Sequence, residues 1–171
     1  AGVGATMSYI GLDNSTEANI TSTTFDKRDK EETEGITVSA DAENRSNSYN
    51  VAAGVSAAGT AAVSGNVAVT QTHGTSGAVI DSAIINNAKT VSANALDDTD
   101  ILSVIGTVSA AGTASVGAGV AYTEIGSTST DEVDAQQTVA AIENTDITTA
   151  ASASGSTVSA QATDSSKVIN V

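Results

Sequence analysis

A six-residue block that occurs three times is the feature that most constrains how this chain can fold. The block reads T-V-S-A-x-A and begins at Thr37, Thr90 and Thr157. A second block, S-A-A-G-T-A, begins at Ser56 and returns 53 residues later at Ser109. Self-similarity at such spacings is typical of proteins built from stacked structural units. We therefore expect a repetitive architecture.

Strict alternation follows these blocks. The segment 61–69 places Ala, Val, Gly, Val and Val at every second position, and 114–122 places Ala, Val, Ala, Val and Tyr. Residues 3–9 supply Val, Ala, Met and Tyr in the same way. A period of two predicts strands with one face directed inward. The predicted strands are 36–42, 48–56, 61–70, 78–85, 89–95, 100–109, 114–123 and 133–142.

The distance between equivalent blocks varies between 53 and 67 residues, which indicates insertions in loops between constant strands. We expect one repetitive domain over 1–171, with a repeat tail (1–35), two repeats (36–88 and 89–156) and a partial repeat (157–171). Because the pattern starts and stops within repeats, we expect a segment of a longer array. A unit of 53 residues suits two large coils or three of about 18 residues, and the sequence does not choose between them.

Small residues dominate the composition, yet 40% of the chain is hydrophobic and proline is absent. This composition favours a folded β protein over disorder. Stacked layers need little apolar area per residue, so we predict an all-β fold, a parallel β-helix (β-solenoid) with a small-residue core. A small-residue β-sandwich of antiparallel hairpins gives similar alternation and stays open as an alternative.

The net charge of −14 excludes some partners. Nucleic acid and anionic membranes both require an excess of Lys and Arg, so neither is expected to bind. We also predict no membrane insertion, because no long apolar run occurs. The absence of cysteine excludes disulfides, thiolate nucleophiles and Cys-ligated zinc.

Residues that could carry chemistry are few. His73 is the sole histidine, so one chain cannot assemble a His-based metal cluster, and we predict that it lies in an exposed turn. Tyr9 and Tyr122 occupy the alternating position of Val69, which indicates a structural role, and Tyr49 is the remaining tyrosine. We predict no enzymatic activity, no catalytic or cofactor-binding residue and no metal site.

Two clusters of carboxylates lie between predicted strands: Asp97, Asp98 and Asp100 in one, and Asp131, Glu132 and Asp134 in the other. Calcium prefers oxygen ligands, but the sequence has no EF-hand loop or glycine-rich calcium nonapeptide. We interpret the clusters as charges that keep the assembly soluble, with calcium as the alternative. A mixed-charge run from Phe25 to Gly35 is predicted to be solvated. The insertions 23–35 and 126–156 are the candidates for partner contacts.

The V-S-A runs, the Asn/Asp/Ser-rich spacers, the glycine-punctuated segment 51–60, the alternating valine strand after it, and the acidic or Asn-rich turn that leads into 78–83 resemble passenger proteins of Gram-negative type V secretion. The similar proteins are filamentous haemagglutinin-like and leukotoxin-type adhesins. The resemblance covers nearly the whole chain and implies a right-handed parallel β-helix, export, and display on the cell surface as an adhesive fibre. Its receptor is not specified. The alternatives are a self-assembling filament or surface-layer subunit joined through strand edges or coil ends, and a calcium-dependent carbohydrate-binding module.

Overall fold

The computed structural model describes residues 1–26, 35–126, 136–150 and 155–171. These residues form an all-β fold with no helix, as predicted. The strands are β1 (Gly2–Thr21), β2 (Thr24–Phe25), β3 (Ile36–Ala58), β4 (Ala61–Asp81), β5 (Ile84–Ala111), β6 (Ala114–Ile125), β7 (Gln137–Glu143), β8 (Asp146–Thr149) and β9 (Thr157–Asn170).

The strands form two sheets between which the chain alternates. The first sheet contains β1, β4, β6 and β7, and the second contains β2, β3, β5, β8 and β9. Every strand pair in the described part of the chain is parallel, which excludes the antiparallel hairpins of the alternative above. We call one passage through the first sheet and then the second a circuit.

The repeated blocks of the sequence lie beside one another in the sheets. Thr37 pairs with Thr90, and Thr90 pairs with Thr157, so the three T-V-S-A-x-A blocks form one band across the second sheet. Since paired residues are 53 positions apart in β3 and β5, the 53-residue unit is one whole circuit. The expectation of two or three coils per unit is wrong because segments expected to be separate strands are continuous, as in β3.

Changes in partner offset locate the insertions. β4 pairs with β6 at an offset of 53 residues, as between Val63 and Val116, and with β7 at 62, as between Thr75 and Gln137. Likewise β5 pairs with β8 at 62 residues and with β9 at 67. The strands on both sides of each insertion stay in the same two sheets, so the added residues leave the pairing intact.

Tight turns join the first sheet to the second, and they are equivalent in successive circuits. Ser22, Ser82 and Asn144 each have a positive φ, between 47° and 53°. The backbone amides of Ser22 and Ser82 donate to the carbonyls of Asp81 and Glu143 in the next circuit. Short polar side chains tolerate this left-handed conformation better than bulky ones, which accounts for Ser and Asn at these positions.

The space between the sheets is apolar near these turns. The buried cluster contains Val38, Ala40, Ala42, Ala78, Ile80, Ala83, Ile85, Ala88, Val91, Ala93 and Ala95. Its members come from both sheets and are mostly alanine, which confirms a core of small side chains. The two isoleucines, Ile80 and Ile85, have no exposed surface and supply the largest buried volumes.

The opposite end has the reverse polarity. We call it the apolar tip, and it comprises residues 2–9, 49–69, 102–122 and 169–171. Its alternating valines point outward, so that Val3 is 83% exposed and Val55 73%, whereas Ser, Asn, Thr, Ala and Gly, together with Ile105, point inward.

Glycine explains this inversion. A Cβ added to Gly54 would collide with the Asn66 side chain, and one added to Gly119 would collide with Ile105. A Cβ on Gly2 would lie 2.8 Å from the Ala57 carbonyl oxygen. The sheets are therefore close at this end, and the one large side chain between them, Ile105, lies opposite a glycine.

Candidate functional site

His73 lies in the middle of β4, so the prediction of an exposed turn is wrong. Its side chain is on the outer face, half-exposed, and its register partner is Asp13 of β1. The stretch that carries it is rich in Gly, Thr and Ser, yet its backbone pairs with β1 throughout, and on the other side with β6 up to Thr72 and with β7 from Thr75. The chain has no second histidine and no cysteine. Among the described residues, His73 belongs to no group of side chains that could hold a metal ion.

The first carboxylate cluster does not converge on one point. Asp97 points inward and is fully buried, while Asp98 and Asp100 point to the outer face of β5. No group of metal-ligating side chains large enough to hold an ion is present in the described ranges. The second cluster, at 131–134, lies outside the described residues.

Asp97 is the centre of a polar layer between the sheets. Its carboxylate accepts hydrogen bonds from Asn44 Nδ2 (2.9 Å), Thr99 Oγ1 (3.1 Å) and Gln136 Nε2 (3.3 Å). Gln136 also donates to Asp164 at 3.2 Å, which pairs with Asp97 in the next circuit. Amide and hydroxyl donors thus stabilise a buried carboxylate, which is otherwise costly to remove from water.

Two asparagines connect the sheets within the apolar tip. Asn50 Nδ2 donates to the Val69 carbonyl at 2.9 Å and to Thr70 Oγ1 at 3.0 Å. Asn66 Nδ2 donates to the Gly106 carbonyl at 2.5 Å. Where glycine has removed side-chain volume, these amides supply the contacts between sheets that apolar side chains supply at the other end.

A chain of hydrogen bonds crosses the outer face of the first sheet. Tyr9 donates its hydroxyl to Gln71 Oε1 (2.8 Å), Gln71 Nε2 donates to Glu124 Oε2 (3.0 Å), and the Tyr122 hydroxyl donates to the same oxygen (3.1 Å). The hydrogen bond to Glu124, together with its negative charge, raises the pKa of Tyr122. Tyr9, Val69 and Tyr122 pair in one row, as the sequence predicted.

Polar and charged side chains cover the outer face of the second sheet beyond the apolar tip. Asn94 Nδ2 donates to Asp41 Oδ1 at 2.6 Å, and this bond, followed by one from Ser39, lowers the pKa of Asp41. Arg45 contacts Glu43 and lies 3.5 Å from Asp98. These exposed pairs link neighbouring strands, and each contributes little to stability in water.

The predicted contact insertions are only partly loops. Within 126–156, β7 pairs with β4 and β8 pairs with β5, so both belong to the sheets. Within 23–35, β2 pairs with β5. The remaining positions, 27–34, 127–135 and 151–154, lie outside the described residues, and so does most of the mixed-charge run.

The outward apolar surface of the tip was not predicted from the sequence. The sequence signal for this surface is glycine at the inward positions of the same strands, as at Gly54 and Gly119. Glycine there lets the two sheets approach closely, so the valines that alternate with it face outward. This surface and the buried polar layer are the two features of the described chain with the most organised chemistry. Neither brings a nucleophile beside a base.

No helix long and apolar enough to cross a membrane is found among the described residues. Comparisons with known proteins gave no match: no protein-family model, no curated protein and no solved structure is similar to this chain.

Proposed function

We propose that this chain is a structural segment of a parallel β-solenoid that forms an extracellular bacterial fibre and presents adhesive surfaces, without enzymatic activity. The observation that carries the proposal is the alignment of identical blocks, with Thr37, Thr90 and Thr157 side by side in successive circuits. Stacking of equal units gives a stiff rod whose length is set by the number of circuits.

The outer strands of the stack support growth in both directions. β1 and β3 form one edge, and β6, β7, β8 and β9 form the other. Both edges carry the T-V-S-A-x-A block, at Thr37 in β3 and at Thr157 in β9. A further circuit of the same sequence can therefore pair at either edge with the register used inside the stack.

The variable positions of the stack are suited to presentation. Among the described residues, the offset between circuits changes by more than one residue only around the segments 26–36, 126–136 and 150–156, while the two sheets continue. A fibre built in this way can vary the residues it offers to a receptor without altering its core. The net charge of −14 keeps such rods soluble.

Lengthening the stack tests the solenoid. We would insert ten further copies of residues 60–112, one circuit, after Gly112 and measure the length of the rods by electron microscopy and small-angle X-ray scattering. Because neighbouring strands are about 4.8 Å apart, the rods should lengthen by about 48 Å. A chain with ten scrambled copies is the control. If the chain with ten unscrambled copies gives rods of unchanged length, the proposal is contradicted.

Adhesion is tested separately, by binding of beads coated with the lengthened rod to epithelial cells. Deletion of 127–135 should reduce bead binding while leaving rod length unchanged. The alternative function, a self-assembling filament joined through strand edges, is favoured by the open edges and by their shared block. It predicts that the isolated 171-residue chain forms long filaments by electron microscopy, whereas a fibre segment gives short rods.

A further inference from the structure

The outer face of the first sheet at the apolar tip is arranged in five rows that run across the strands. The rows run from the polar border of the tip towards its outer end, where β4 and β6 begin. In that order they are Tyr9, Val69 and Tyr122; Met7, Val67 and Val120; Ala5, Gly65 and Ala118; Val3, Val63 and Val116; and Ala61 and Ala114. By size, the order is large, large, small, large, small. The third row is therefore a groove between two ridges.

The second sheet has the same order on its own outer face. Its rows are Tyr49, Leu102 and Ile169; Val51, Val104 and Val171; Ala53 and Gly106; Val55 and Val108; and Ala57 and Ala110. Again two large rows are followed by a small row, a large row and a small row. The two outer faces thus carry one pattern, although their strands run in opposite directions relative to the tip.

The grooves are open, and no charged side chain lies in the surface around them. A Cβ added to Gly65 or to Gly106 would have no atom within 4 Å. The groove over Gly65 has a volume of about 450 Å³, with Met7, Val67 and Val120 among its lining residues. No Asp, Glu, Lys or Arg occurs in 2–12, 46–80 or 101–123, so the acidic groups lie outside the tip.

Under two-fold symmetry, the row pattern fits a copy of itself in only one orientation. When two such faces meet with their tips pointing in opposite directions, the second row lies on the partner's fifth row and the third row lies on the fourth. The large rows two and four then each face a small row, row one lies beyond the contact, and the rows are about 7 Å apart along the strands. In the parallel orientation large rows meet large rows, and the acidic ends of the two copies adjoin.

We infer that the apolar tip is a surface through which copies of this chain associate face to face, with ridges of one copy in the grooves of the other and their tips antiparallel. The two-fold axis lies along the direction in which circuits stack. Two long arrays can therefore remain paired along their whole length. Since both sheets carry the pattern, each copy can take a neighbour on either side, which produces layers.

The area of one face sets the strength of the association. Rows two to five extend about 27 Å along three strands that together span about 14 Å, so a pair of copies buries about 750 Å². Stable specific interfaces bury about 1,200 Å² or more. The three circuits of this chain should therefore associate weakly and reversibly, and additional circuits should strengthen the contact.

Valine substitutions test the inference in the full 171-residue chain by sedimentation equilibrium. The double variant Gly65→Val with Gly106→Val fills both grooves, and we expect its dissociation constant to rise at least tenfold. Gly77→Val is the matched control, because Gly77 is an outward glycine of β4 outside the apolar tip whose added Cβ meets only Glu17 Cγ, at 3.8 Å. Equal dissociation constants for the double variant and the wild type would overturn the inference.

Folding and orientation need their own measurements. Circular dichroism should show the double variant as folded as the wild type; if it is not, Val67→Lys with Val108→Lys places charge on both faces and should also abolish association. Disulfide trapping reports orientation, since the chain has no cysteine. We would mix Gly65→Cys and Val63→Cys chains, because the antiparallel arrangement places row three of one copy on row four of the other. Disulfides between a Gly65→Cys chain and a Val63→Cys chain should then outnumber disulfides between two identical chains. An excess of like pairs contradicts the antiparallel arrangement.

Phosphatidylcholine vesicles separate this inference from binding of lipid. Insertion of an apolar surface among acyl chains does not require a groove. If the tip binds lipid, the Gly65→Val, Gly106→Val double variant should therefore float with vesicles at least as well as the wild type. A wild-type chain that floats with vesicles and remains monomeric without them overturns the inference. Self-association without flotation supports it. Both results are independent of whether chains with added circuits form longer rods.

Discussion

Replacing Gly74 with alanine should destabilise the fold, whereas the same change at Gly77 should stabilise it. Gly74 points inward from β4, and a Cβ there would lie 2.7 Å from Asp97 Oδ2 and 3.0 Å from Asn44 Nδ2. Those two atoms are joined by a hydrogen bond of 2.9 Å, so neither can withdraw without weakening it. Gly77 points outward, where a Cβ meets only Glu17 Cγ at 3.8 Å.

The magnitudes follow from two opposing effects. Alanine in place of glycine inside a strand lowers the conformational entropy of the unfolded chain, which stabilises both variants by about 0.5–1 kcal/mol. Overpacking of a filled interior costs about 1–3 kcal/mol and applies only at Gly74. Because the gain is common to both variants, their free energies of unfolding should differ by about 1–3 kcal/mol.

Urea unfolding followed by circular dichroism measures this difference. With a slope of about 2 kcal/mol per molar urea, the two midpoints should be about 0.5–1.5 M apart. Equal midpoints would refute the close approach of the sheets at Asp97. In a chain that carries Asp97→Ser, the shorter side chain leaves room for the Cβ, so Gly74→Ala should cost less than in the wild type.

Three further predictions concern the interior and the outer face. Ile80→Ala should lower the free energy of unfolding by about 2–5 kcal/mol because it leaves a cavity, while Val63→Ala, at a site 49% exposed, should change it by less than about 0.5 kcal/mol in the same urea titration. Asn50→Ala removes two hydrogen bonds between the sheets and should cost about 1–3 kcal/mol, measured by thermal unfolding. Phenolate absorbance should show Tyr122 titrating above its ordinary pKa, and Glu124→Gln should lower that pKa. Since the folded pKa is raised, the stabilisation is complete below the ordinary value and is lost as the pH rises through the folded one.

The repeats and the period of two were sufficient to predict strands and a small-residue core, and they favoured parallel packing while leaving antiparallel hairpins open. The T-V-S-A-x-A blocks lie side by side because identical sequences placed at the same point of successive circuits make identical contacts. The continuity of β3 and β4 was not predictable from composition. Residues typical of turns, such as those around His73, form strand here because a neighbouring circuit supplies backbone partners on both sides.

Alternation alone did not predict which face of each strand is buried. It shows that Val63, Val67 and Val69 share one face, and hydrophobicity favours burying that face. The distance between the sheets decides otherwise at the apolar tip. Glycines on the opposite face, such as Gly54 and Gly119, bring the sheets so close that mostly small side chains and asparagine amides lie between them, and Ile105 fits only because Gly119 leaves room for it.

Burial in this molecule depends on how many neighbours each circuit has. The middle circuit, β4 and β5, pairs on both sides and contains fully buried side chains such as Ile80, Ile85 and Val91. β9 lies at an edge of the stack and is exposed along its whole length. Each added circuit converts an edge into an interior layer, and it also extends both outer faces of the apolar tip by one strand. Stability and face-to-face association should therefore rise together with the number of circuits, because both are sums over neighbouring layers.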